Sequence, residues 1–170
     1  LKRILCKIKD IRYVYRDTII GFKNLIRWFP IIWNDRQWDH TYIYKIFQKK
    51  LSLTEKYLRH HGMHVHAERD ADRIKTCVIL LERLLRDEYH EMAFKKHYEK
   101  WGMPELQTKE TDNANFHELH IHYDGVKTEE DKKQERKQFH SAYEHEQYLR
   151  EQDLDFLFKI MRKHIQGWWD

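Results

Sequence analysis

The strongest constraint in this chain is a helical period. Ile74, Cys77, Val78, Leu81, Leu84, Leu85, Tyr89 and Met92 recur at steps of three and four, the spacing that lines one face of an α-helix. The pattern predicts a helix from about residues 65–68 to Trp101, stopped by Gly102 and Pro104. A second stripe runs through the first 28 residues as Ile4, Ile8, Ile11, Tyr15, Ile19, Phe22 and Ile26. Gly21 loosens it, and Pro30 is expected to end it, because a residue before proline avoids the helical basin. Asp35 or Asp39 can cap the next helix, with Ile43, Ile46, Phe47, Leu51 and Leu58 on its apolar face and Gly62 after its last turn. That helix and the following one are expected to form a long antiparallel hairpin.

Residues 103–127 break the pattern. They are polar and His-rich, and the alternation in FHELHIHYDG permits one short strand, which without a partner is expected to be loop. Thr128 followed by Glu129, Glu130 and Asp131 reads as a helix start, with acids where the helix dipole favours them. The helix that follows is highly charged until Phe139, Tyr143 and Tyr148. A break at Asp153 is expected before Leu154, Leu157, Ile160, Met161 and Ile165. With 5 Gly and 2 Pro the chain has too few turn residues for an all-β fold, so the expectation is one all-α domain over residues 1–170, a bundle of four to five helices.

Charge is placed unevenly. Residues 1–29 hold eight Lys and Arg against two Asp, a net +6, whereas the whole chain carries +4. The basic character therefore belongs to the first helix, and a general nucleic-acid coat is not expected. Such a helix suits an anionic membrane surface or a phosphate backbone, or it packs in the bundle with a basic wet face. No run of about 18 apolar residues exists to span a membrane. The N-terminal residues lack a secretory pattern, and Cys6 and Cys77 sit in apolar registers, which points to a reducing cytoplasm.

Three groups of residues carry possible chemistry. The corner FPIIWNDRQWDHTY combines flat rings, Trp33 and Trp38, with the forked donor Arg36 and the acceptors Asp35 and Asp39. Rings that stack on a base beside a guanidinium that pairs with phosphate suit a nucleotide-like ligand. Glu68, Arg69 and Arg73 form a second set beyond the second helix, which spans about 30 Å, so only an oligomer would join the two sets on one small ligand. The alternative role of the corner is structural, with the tryptophans covering a bundle end. The third group is metal-competent: His64, His66, Asp70 and Asp72, with His120 and His122 closing from the polar segment, would make a metal-dependent phosphodiesterase. No HExxH or CxxC motif accompanies it, no nucleophile elbow surrounds Ser52 or Ser141, and no phosphate-binding Gly-rich loop is present, so neither a catalytic residue nor a cofactor is assigned.

The runs WFPIIWNDRQWD, HVHAERDADRIKTCVILLERLLRDEYHEMAFKKH and FKIMRKHIQGWWD resemble a group of small uncharacterised proteins encoded by tailed bacteriophages. The resemblance implies phage provenance. By analogy with phage proteins that sequester nucleotide signals such as cyclic dinucleotides, it implies a cytoplasmic homo-oligomer that binds such a molecule without turnover and so inhibits host anti-phage defence. A structural or protein-interaction role, with the first helix as the contact, is the third expectation.

Overall fold

In a computed structural model, residues 2–110 and 117–168 are described, with side chains for 13–108 and 117–168. The secondary structure is five α-helices, one two-stranded hairpin and a closing 3-10 turn. The helices are α1 (Lys2–Ile32), α2 (Thr41–His61), α3 (Ala67–Arg86), α4 (Tyr89–Trp101) and α5 (Glu129–His164). The fold is thus mainly helical, as the apolar periods predict. The chain divides into two compact units, Leu1–Lys50 and Leu51–Asp170.

In the first unit α1 runs on past Pro30 to Ile32, one turn beyond the expected end. Proline gives up its own N–H bond and crowds the carbonyl four residues back, but only the last turn of α1 lies beyond it. The Trp33 N–H still donates to the Phe29 carbonyl at 2.9 Å, and the Phe29 and Trp33 rings meet at 4.7 Å. Two turns follow, closed by Asp35 N–H to Ile32 O and Asp39 N–H to Arg36 O. Asp39 then starts α2 by accepting the Thr41 N–H at 2.9 Å.

The second unit holds the core. α2 ends where Gly62 N–H donates to Leu58 O. A Cβ at Gly62 would lie 2.5 Å from that carbonyl oxygen and 2.5 Å from the Ala67 Cβ, so only glycine lets the chain turn this tightly into α3. Beyond the turn Ala71, Ile74, Cys77 and Leu81 are fully buried, and burial pushes the Cys77 thiol up to about 11. Ile74 and Leu81 each give about 1.5–3 kcal/mol on leaving water.

The expected single helix from residue 65 to 101 is broken at Asp87, which takes a left-handed conformation (φ 51°, ψ 38°). Aspartate tolerates that region better than most residues. Its carboxylate is held by Arg150 of α5 at 2.7 Å, an anchor that an apolar period cannot report. The break swings α4 along α5, where Phe94 is the largest fully buried side chain. His90, His97, Tyr98 and Phe139 surround its ring at centroid distances of 4.2–5.7 Å.

The polar segment is a hairpin, not a loop: β1 (Glu105–Glu110) pairs antiparallel with β2 (His117–His122) in the register Leu106↔Ile121. The partner strand ELQTKE has no apolar alternation, so only its backbone pairing reveals it. Residues 111–116 between the strands, and Trp169 and Asp170 of the C-terminal tail, lie outside the described residues.

α5 begins with a full capping box: Thr128 Oγ1 accepts the Asp131 N–H at 3.1 Å, and the Asp131 carboxylate accepts the Thr128 N–H at 2.9 Å. It then runs unbroken through Asp153. The reason is that Asp153 is buried and paired. It accepts the Tyr89 hydroxyl at 2.7 Å and Arg83 Nε at 3.1 Å. Burial and the nearby carboxylate push the Tyr89 phenol well above its ordinary range. Phe139, Tyr143 and Tyr148, where the run of charge ends, are exposed. The buried stripe is instead Glu135, Ala142, Glu146, Asp153 and Leu157.

Replacing Asp153 with Ala strands the Tyr89 hydroxyl and leaves Arg83 to water. The expected loss is about 2–3 kcal/mol, against about 1 kcal/mol for Tyr89→Phe. Urea unfolding of the two variants checks the ranking.

Candidate functional site

The corner between α1 and α2 presents its expensive side chains to solvent. Trp33 is 67% exposed and Trp38 83% exposed, on either side of Arg36. Phe29 backs the Trp33 ring, which leaves its remaining surface open to a planar ligand. The Arg36 guanidinium donates to the Asp35 carbonyl at 3.3 Å, an exposed contact that leaves most of its five donors unengaged. Asp39 differs from its neighbours. Hydrogen bonds from the Thr41 hydroxyl and backbone N–H hold its carboxyl below the usual range, so it spends its charge on starting α2. The two successive turns give the corner its geometry by facing Arg36 and Trp38 outward from one short loop.

Glu68, Arg69 and Arg73 belong to the other unit, on the first turns of α3. Glu68 and Arg69 are exposed, while Arg73 is drawn inward to Asp70 at 2.7 Å. His64 Nε2 reaches the second oxygen of the same carboxylate at 3.3 Å. Asp70 is buried, which by itself raises its pKa. The bonds from Arg73 and His64 outweigh that cost and leave it lowered. His164, from the last turn of α5, also belongs to this cluster: partial desolvation and the positive charge of Arg73 lower its pKa. Sequence spacing links His64, Asp70 and Arg73 within ten residues but gives no sign of His164, which arrives through the packing of α5.

The metal-competent residues are not gathered. Asp70 serves Arg73 and His64, and Asp72 pairs with Arg59 at 2.9 Å while Arg59 also holds Glu55 at 2.7 Å. His66 is exposed. On the hairpin His120 faces Glu118 at 3.3 Å and His122 faces Asp124 at 3.7 Å. Among the described residues no group of three or more His, Cys, Asp or Glu is placed to hold a metal ion. His64, His120 and His122 instead each face a separate carboxylate.

Sequence spacing also missed the polar seam of the second unit. His90 bridges Glu146 at 3.0 Å and the Tyr98 hydroxyl at 2.7 Å. Buried His97 meets Glu135 at 3.1 Å, and its Nδ1 has no partner among the described residues. A groove of about 440 Å³ between α4 and α5 is rimmed by Lys96, Lys100 and His145 above this pair. The signal that finds these residues is the step of 7, 4 and 7 from Glu135 through Ala142 and Glu146 to Asp153, a helical face read in acids rather than in apolar residues.

No protein-family model matches the chain, and no curated protein or solved structure is significantly similar to it.

The Asp70 pairs predict an acid response with a definite sign. A carboxyl whose pKa is lowered by folding adds stability above its unfolded pKa, and that stability is lost as pH falls through the folded value. Asp70→Asn is therefore expected to cost about 1–2 kcal/mol at pH 7. It should also flatten the decline in stability below about pH 4, the ordinary carboxylate range. Thermal melts of both proteins from pH 7 to pH 3 would show it.

Proposed function

We propose that this chain is a binding protein that sequesters a small nucleotide-derived molecule without turning it over. The observation that carries this reading is the exposed pair Trp33 and Trp38 around Arg36, whose donors are largely unengaged. Large aromatic rings held in water at a tight corner contribute little to stability, whereas two rings beside a guanidinium match a base and its phosphate. Stacking on such a ring gives about 1–3 kcal/mol per base, and the Arg36 fork adds a charge-assisted bond to phosphate. Asp35 supplies an acceptor for a sugar hydroxyl or an exocyclic amine.

In this reading the protein works as a homo-oligomer, in which Arg69, Arg73 and Glu68 of a second copy complete the walls that an open corner lacks. Its resemblance to tailed-phage proteins supplies the setting: the host cytoplasm, with an immune signalling nucleotide as the ligand and inhibition of anti-phage defence as the outcome. A phosphodiesterase reading would need His64, His66, Asp70 and Asp72 to share one ion, and no observation favours it over their present pairings.

The test is retention. Purified protein is incubated with a cyclic adenine dinucleotide or with cyclic ADP-ribose, desalted and heated, and the released ligand is identified by chromatography. Recovery of the unaltered molecule is the expected result; no retention, or recovery of a cleaved product, defeats the reading. Trp33→Ala and Trp38→Ala should each weaken binding by about 5- to 100-fold. Both rings are exposed, so the melting temperature should stay nearly unchanged.

A further inference from the structure

From Tyr13 to Ile32, every residue of α1 is exposed except Trp28 and Ile31, which are half-buried. The long apolar stripe is wet: Tyr15, Phe22, Leu25, Ile26 and Phe29 are 50–76% exposed, and Ile19 is 36% exposed. At about 100° per residue these six side chains occupy an arc of about 120°. Trp28 and Ile31 project outside this arc, and Tyr13 and Ile20 stand exposed on the same side as Ile31. Arg16, Lys23 and Arg27 line one flank of the stripe. Asp17 is the only acid between Tyr13 and Ile32, and it sits against Arg16 at 3.4 Å.

We infer that α1 is a membrane-surface helix, which lays this apolar arc into an anionic lipid layer with its basic flank on the headgroups. Length and charge set the orientation. The stripe from Tyr15 to Phe29 is about 21 Å long, shorter than a bilayer core, and no described helix is long and apolar enough to cross a membrane. A helix of this kind lies in the interface plane, with aliphatic and aromatic side chains sunk below Lys and Arg that reach back to phosphates.

Charge selects lipid over other occupants. Residues 1–29 sum to +6, so a second copy pairing along this helix would bring like charge against like charge. A nucleic acid would satisfy the charge but leave six large apolar side chains in water. An anionic lipid surface meets both requirements. The inference is independent of ligand binding at the corner, because its key positions, Phe22, Lys23, Ile26 and Arg27, precede Trp33.

Flotation of the intact chain with vesicles tests it, using 70% phosphatidylcholine with 30% phosphatidylglycerol against phosphatidylcholine alone. The protein is expected to float with the anionic vesicles and to be released as salt rises from 50 to 500 mM. The double variant Lys23→Gln/Arg27→Gln should bind about 30-fold more weakly, the effect of two basic charges near such a surface. Phe22→Glu/Ile26→Glu should abolish flotation with an unchanged melting temperature, since both side chains are exposed. Equal binding to neutral vesicles, or no flotation, overturns the proposal. So does a vesicle-free dimer by light scattering that Phe22→Glu turns into monomers, which would make a second copy the occupant. Duplex DNA bound equally well by Phe22→Glu would overturn it in favour of a nucleic acid.

Discussion

The second unit depends on an unusual buried face: the inward side of α5 carries three carboxylates, Glu135, Glu146 and Asp153. Burying a carboxylate costs several kcal/mol unless donors meet it. Each of these has its donors. His97 faces Glu135, His90 and Arg150 face Glu146, and Tyr89 and Arg83 face Asp153. Since the donors come from α3, α4 and α5 itself, the acids fix which residues of the other helices turn inward. A slide of α4 along α5 by one turn would take His97 from Glu135, His90 from Glu146 and Tyr89 from Asp153, so these pairs specify register more than they add stability.

The helix break at Asp87 is tied to the same face of α5. It lies between Arg83, which pairs with Asp153, and His97, which pairs with Glu135. The left-handed turn at Asp87 is held by Arg150, which also pairs with Glu146. Around the His97–Glu135 pair the buried rings of Phe94 and Tyr123 keep water out, which strengthens that charge-assisted bond.

The first unit is organised by the opposite balance. Its apolar side chains are many but wet, and its fixed polar contacts are local, such as the Asp39 start of α2. A stretch built this way contributes surface rather than core. Both binding proposals fall on it for that reason: the corner offers rings beside a fork for a nucleotide, and α1 offers an apolar arc beside a basic flank for lipid. They use different faces of neighbouring residues and different partners.

The helical elements were legible in the sequence because apolar steps of three and four are local, and so were the Thr128 cap and the Gly62 stop. The corner was legible only as a composition; the structure adds that Trp33, Asp35, Arg36 and Trp38 are exposed. Other features were not legible, each for a reason that spacing alone does not carry. The strand partner ELQTKE pairs through backbone groups that every residue possesses. Asp153 reads as a breaker until Tyr89 and Arg83, 64 and 70 positions earlier in the chain, are brought to it. Two helices with similar apolar stripes met opposite fates: that of α3 is buried and that of α1 is not. Sequence sets which face of a helix is apolar, because that is a matter of side-chain order along one turn. Whether the face is dry depends on what the rest of the chain brings against it, and that is decided only in three dimensions.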